Sequence, residues 1–208
     1  MTNRVIVLDQ ISHRETDRVP YTLPVSDEVA VRLDDYYGSE TWRSRINQHL
    51  ASYKVMGEST KVDIDQAHYR DAFGTIWRSD QKPSVVAQPA LSEPSLQNYR
   101  FPEAEQFLEP SLVTEAKKNI RDAPDMFTYI GVPCLWSCWY LRGFENTMMD
   151  IIAEENFYIE LLDSLTELSL ASIEICADIP SDAIFLADDW GEQRGVMIGP
   201  DRWRKYYK

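Results

Sequence analysis

The stretch that most constrains this chain is AIFLADDWGEQRGVMIGPDRWRKYYK, residues 183–208. Ala183 to Ala187 is an apolar run without polar alternation, the pattern of a parallel strand buried on both faces. It stops abruptly at Asp188, Asp189, Trp190 and Gly191, two carboxylates and an indole at the strand's carboxyl end. Gly199-Pro200 then opens a helix, because proline at the first turn gives up only an N–H that would be unpaired anyway. Strand, acidic tip, glycine-containing loop and helix make one βα unit. In parallel-stranded enzymes chemistry gathers at such strand ends.

Upstream, the same alternation recurs. VPYTLP (19–24) predicts a first strand, with residues 1–19 a polar lead-in. A helix begins at Ser26, with Val29, Leu33 and Tyr36/Tyr37 at helical spacing and Gly38 as its stop. A second starts near Thr41, with Trp42, Ile46, Leu50 and Tyr53 on one face and His49 beside it as a surface or rim residue. Residues 61–77 alternate and are rich in β-branched and aromatic types, so they predict strand, with DAFGTIW (71–77) a turn into a second strand. Pro83, Pro89, Pro94 and Pro102 mark 79–102 as an irregular connection, and a helix follows from Pro102 to about Ile120. Phe127 to Pro133 predicts the next buried strand. Glu154 to Cys176 is the longest predicted helix, its stripe Phe157, Leu161, Leu165 and Leu168. The expected fold class is therefore α/β, with parallel strands around Tyr21, Ile64, Tyr129 and Phe185.

Composition narrows the function classes. With 208 residues and 44% hydrophobic content the chain can bury a core. The 34 acidic against 21 basic residues, net −13, would repel a phosphate backbone, so nucleic acid is not an expected partner. No apolar stretch approaches the ~20 residues of a membrane span. Val5 to Leu8 is too short for a signal-peptide core, so the expected location is cytoplasmic. The three cysteines make no disulfide framework; Cys134 and Cys138 read either as small buried thiols or as a metal pair.

Candidate site residues fall in three places. His68 and Asp71 flank the hairpin turn with Phe73, and His68 reads either as satisfied within the hairpin or as a substrate contact. Trp136, Trp139, Tyr140 and Phe144 recur at one helix wall, either core or a flat pocket wall for an aromatic or macrocyclic ligand. Asp188 and Asp189 are the candidates for catalysis, one binding or protonating substrate while the other orients it, with Trp190 and Arg194 as substrate contacts. The alternative for the aspartates is helix capping and loop ordering, and for Arg194 a solvated position in the same loop.

DRVP (17–20), DAFGTIW (71–77), GVP (131–133) followed by Gly143, and ADDWG (187–191) followed by GPDRW (199–203) together resemble the uroporphyrinogen decarboxylase superfamily. That superfamily includes the haem-pathway decarboxylase and cobalamin-dependent methyltransferases. The resemblance implies a (β/α)8 TIM-barrel type of fold, of which 1–208 would be the N-terminal part with about the first four βα units. The decarboxylase holds its tetrapyrrole carboxylates with an arginine pattern like RQAGRY; the matching region here, PYTLPVSDEVAVRLDDYYG, lacks it. Where the decarboxylase places a tyrosine after its GxP motif, this chain has Trp139, with Tyr140 beside it. The resemblance therefore implies a corrinoid-dependent methyltransferase that takes a methyl group from a small donor. A corrinoid carrier protein is the implied partner, and zinc the implied metal, with ligands outside 1–208. Uroporphyrinogen III decarboxylation, or an inactive half-barrel needing a partner, are the alternatives. The remaining expected partner is a second copy in a homo-oligomer.

Overall fold

The computed structural model describes residues 1–57 and 61–208, apart from the side chain of Trp136. In chain order the first elements are helices α1 (Asn3–Ile11) and α2 (Asp27–Tyr37), a 3-10 turn (Glu40–Arg45), and strands β1 (Leu50–Tyr53), β2 (Val62–Asp63), β3 (His68–Arg70), β4 (Ile76–Arg78) and β5 (Val85–Gln88). A second 3-10 turn (Ala104–Phe107), helix α3 (Pro110–Asp122) and strand β6 (Phe127–Gly131) follow. Then come helices α4 (Cys138–Arg142), α5 (Phe144–Ala153) and α6 (Glu155–Cys176), strands β7 (Ala183–Phe185), β8 (Gly191–Glu192) and β9 (Gly195–Val196), and helix α7 (Pro200–Tyr207). The chain packs as two units: Met1–Tyr53 with Thr114–Ile130 and Pro180–Ile184, and Lys54–Val113 with Gly131–Ile179 and Phe185–Lys208. Among the described residues no helix is long and apolar enough to cross a membrane.

In the first unit, β1 and β6 pair in parallel, Leu50 opposite Phe127 and Tyr53 opposite Ile130. Phe127 and Ile130 are buried, as are Ile6 and Val7 of α1 and Ala116 and Ile120 of α3. The lead-in expected at 1–19 is thus a helix, capped by the Thr2 hydroxyl accepting from the Val5 N–H. Helix α2 forms where expected, and Gly38, at φ 64°, ends it in the left-handed region that glycine tolerates.

Leu50 and Tyr53, expected on a helix, lie instead in β1. The segment around Tyr21, expected as a strand, joins no ladder. Its backbone is tied to the two residues before β1: Tyr21 C=O accepts from the His49 N–H at 2.8 Å, and Tyr21 N–H donates to His49 Nδ1 at 3.4 Å. The Gln48 side-chain oxygen takes the Thr22 hydroxyl and the Leu23 N–H. His49, expected at the surface, is only 2% exposed.

Asp182 holds this unit's three chain segments at one point. Its carboxylate accepts from the Thr128 N–H at 2.9 Å and from Arg4 Nε at 2.8 Å. Burial raises the Asp182 carboxyl, but the Arg4 and Thr128 hydrogen bonds and the Arg4 charge outweigh it, so its pKa lies below the usual aspartate value. A carboxyl depressed in the folded state stabilises above the unfolded value of about 3.9, and that contribution fades as pH falls through the folded value. Asp182→Asn is therefore expected to lower stability near neutrality by about 1–3 kcal/mol. It should also lose less stability than the parent chain between about pH 6 and pH 3, read as urea midpoints. Equal acid losses would remove Asp182 from the account.

The second unit holds a four-stranded antiparallel sheet, β2-β3-β4-β5, with its register broken between Ile76 and Trp77. Helices α4, α5 and α6 surround a core of Leu91, Cys138, Leu141, Ile151, Phe157, Tyr158, Leu161 and Leu165, joined by Trp190 and Ile198. The whole expected stripe of α6 is buried. In place of the continuous helix expected from Pro102, the 3-10 turn at 104–107 precedes α3.

The expected barrel is corrected by the sheets. Among the described residues they are three and separate: β1-β6-β7, the antiparallel β2-β3-β4-β5, and the β8-β9 hairpin. The region around Ile64 leads into a hairpin because the DAFG turn is short enough for the chain to return antiparallel. Val85–Gln88, expected as irregular, supplies that sheet's last strand. Strand β7 is not buried on both faces: it stands at a sheet edge, with Phe185 and Leu186 exposed at 51% and 49%.

Candidate functional site

The site is built in the second unit from the hairpin turn and the helix that follows β6. Asp71 organises the turn: its carboxylate accepts from the Thr75 N–H at 2.9 Å and from the Trp77 indole N–H at 2.7 Å. Burial pushes the Asp71 carboxyl up, against the pull of these hydrogen bonds. Trp77 is thereby held in place, with Tyr69 stacked at 6.3 Å on one side. The buried Thr75 hydroxyl donates to the Tyr140 carbonyl at 3.1 Å, tying the turn to α4. The Tyr140 ring then meets Trp77 at 4.6 Å and 63°.

Helix α4 ends at Gly143, whose φ of 85° lets the chain break and restart as α5. That break sets Phe144 edge-on to Trp139, 5.1 Å away at 88°. Trp77, Trp139, Tyr140 and Phe144, with Val85 and Val86 of β5, enclose a cleft of about 490 Å3. Such a volume suits a small ligand. Its polar wall is Glu145, Asn146 and Ser84, and no lining residue is basic. Burial, aided by Cys134, pushes the Tyr140 phenol up to about 12, so it stays protonated near neutrality.

The remaining sequence-predicted residues lie elsewhere. Phe73 packs on Phe107 at 5.4 Å beside a recess of about 200 Å3 that it shares with Asp71 and Trp77. His68 Nδ1 sits 3.0 Å from the Asp65 carboxylate in the hairpin, away from the cleft. Trp190 is buried 5.2 Å from Trp139 and 4.3 Å from Tyr207, and its indole N–H has no partner among the described residues. Asp188 and Asp189 are exposed, and neither lines the cleft. Burial first, and the Asp188 charge second, push the Cys138 thiol up, and the same charge adds to burial at Tyr158 and Tyr207. Arg194 is exposed in the β8–β9 turn. Trp136 shares the 3-10 turn before α4, with its side chain outside the described residues.

The sequence reading passed over Val85, Val86, Glu145 and Asn146. Prolines at 83 and 89 masked the strand, and the Gly143 break that brings Glu145 and Asn146 round carries only a single-residue signal. Among the described residues no group of three or more His, Cys, Asp or Glu side chains could hold a metal ion. Cys134 and Cys138 are buried thiols. The first unit has its own cleft of about 360 Å3 beside β1, lined by residues that include Thr22, Gln48, Ser52 and Tyr129, and none of the predicted site residues reaches it.

By sequence, the chain matches no family model and no curated protein. By structure, its full length aligns with a methyltransferase from Methanosarcina mazei at a TM-score of 0.66 and 18% identity. The chain has that protein's fold and spans 64% of its length.

Proposed function

We propose that this chain is a methyl-transfer enzyme whose aromatic cleft holds a small methylated donor, with a corrinoid carrier protein as its partner. The observation that carries the reading is the cleft walled by Trp77, Trp139, Tyr140 and Phe144, within a chain that has the fold of a methyltransferase. A cleft of about 490 Å3 has room for a small donor. Its lining holds no histidine or cysteine to ligate a cobalt, so a corrinoid would stay with its carrier while this chain supplies the donor side. Bound there, the corrinoid supplies a nucleophilic acceptor for the methyl group. Trp77 and Trp139 orient the donor, Phe144 at the open rim excludes water, and Tyr140 keeps its proton. Zinc does not fit the described residues, among which no group of three or more His, Cys, Asp or Glu side chains could hold it.

Uroporphyrinogen decarboxylation is the weaker reading. Its many carboxylates call for charge-assisted hydrogen bonds, and this cleft offers Glu145 and no basic group. The test mixes the full chain with a reduced corrinoid carrier and a panel of methyl ethers and methylated amines. The methyl–cobalt absorption should grow with at least one donor. A flat spectrum across the panel, with the protein shown to be folded, would overturn the reading.

A further inference from the structure

The cleft combines three features that together select a ligand charge. Four aromatic rings line it, and they meet at steep angles: Trp77 against Tyr140 at 63° and Trp139 against Phe144 at 88°. Rings set this way form corners, so a compact group entering the cleft meets more than one of them. Glu145 lines the same cleft, exposed, and among the described residues no cation pairs with it. No lining residue carries a positive charge.

We propose that the cleft binds a quaternary ammonium cation, and that such a cation is the methyl donor. An ammonium carrying only alkyl groups has no N–H to satisfy. Its positive charge is spread over methyl surfaces that favour aromatic faces and a nearby carboxylate over hydrogen-bonding groups. A carboxylate or phosphate would instead meet Glu145 and find no counter-charge. A neutral arene would stack on the rings and leave Glu145 unused.

The reaction then balances without an acid in the cleft. The C–N bond breaks, its electron pair stays on nitrogen, and the cation departs as a neutral amine. The methyl group passes to the two-electron nucleophile brought by the reduced corrinoid carrier. This part rests on the methyl-transfer reading; the binding of the cation does not.

Choline and its uncharged isostere 3,3-dimethylbutan-1-ol are to be titrated into the full chain, followed by tryptophan fluorescence and calorimetry. Choline should bind about three- to thirtyfold more tightly than the isostere, the range expected of cation–π attraction from exposed to desolvated sites. Glu145→Gln, an exposed change that leaves packing intact, should weaken choline several-fold and leave the isostere unchanged. Trp139→Leu, checked for folding by circular dichroism, should weaken both. Equal affinity for choline and the isostere would overturn the proposal, as would an unchanged choline affinity in Glu145→Gln. Choline binding without methyl transfer would keep the cation site and remove the methyl-transfer reading. Transfer from a neutral ether with no choline binding would do the reverse.

Discussion

Asp150→Ala will lower the unfolding free energy by about 3–5 kcal/mol, the cost of leaving one member of a buried ion pair without its partner. Arg142 and Asp150 are exposed by only 7% and 5%, with Nε to Oδ2 at 2.7 Å. The guanidinium also donates through Nη1 to the Leu91 carbonyl at 3.3 Å and the Ser92 carbonyl at 2.7 Å. Without the carboxylate, those carbonyls would satisfy part of its hydrogen bonding and none of its charge. The pair links the end of α4 to α5, so it also fixes Trp139 and Tyr140 relative to Phe144. Urea denaturation near neutral pH provides the measurement. Replacing both residues with leucine should recover much of the loss, because a buried pair contributes little beyond a well-packed apolar substitute. A single-mutant loss below about 1 kcal/mol would mean that Arg142 reaches water, and that the pair does not hold the two helices.

Leu161→Ala is expected to cost about 2–5 kcal/mol, the range for emptying a packed leucine site in a core that collapses only in part. Leu161 is 1% exposed at the centre of α6's buried stripe, in one cluster with Cys138 and Leu141 of α4. The void therefore lies behind the helix that carries Trp139 and Tyr140. Weaker choline binding should accompany the lower urea midpoint, whereas Leu170→Ala, at an exposed position of the same helix, should change neither much. A small loss at Leu161 would mean that its neighbours close over the space.

What the sequence made legible depended on whether one periodicity ran long enough to exclude its rival. Helix α6 has a 22-residue stretch in which Phe157, Leu161, Leu165 and Leu168 return at helical spacing, and all four are buried. The hairpin at 68–78 was equally readable, since alternation and the DAFG turn agree. Short elements misled. Leu50 and Tyr53 stand three apart by chance of a four-residue strand, which reads as a helical step. AIFLA reads as an interior strand by composition, but composition does not say which side of a sheet remains uncovered. The barrel expectation failed there, because parallel strands were counted from apolar runs without their pairing partners. Of the site, the aromatic wall after β6 was visible, including Trp139, Tyr140 and Phe144. The Arg142–Asp150 pair was not, because each residue looks like an ordinary surface charge until α4 and α5 are placed side by side.

The hydrogen bond from the Thr75 hydroxyl to the Tyr140 carbonyl spans 65 positions of chain. The hairpin can assemble from near neighbours, and so can the short helix, but the cleft exists only after that long excursion has closed. Recognition is therefore an all-or-none property of the assembled unit, and a nascent or partly opened form presents its rings singly. Any occupant of the cleft draws the population toward the closed arrangement by mass action. The ligand thus acts as a clasp on the piece of chain that recognises it.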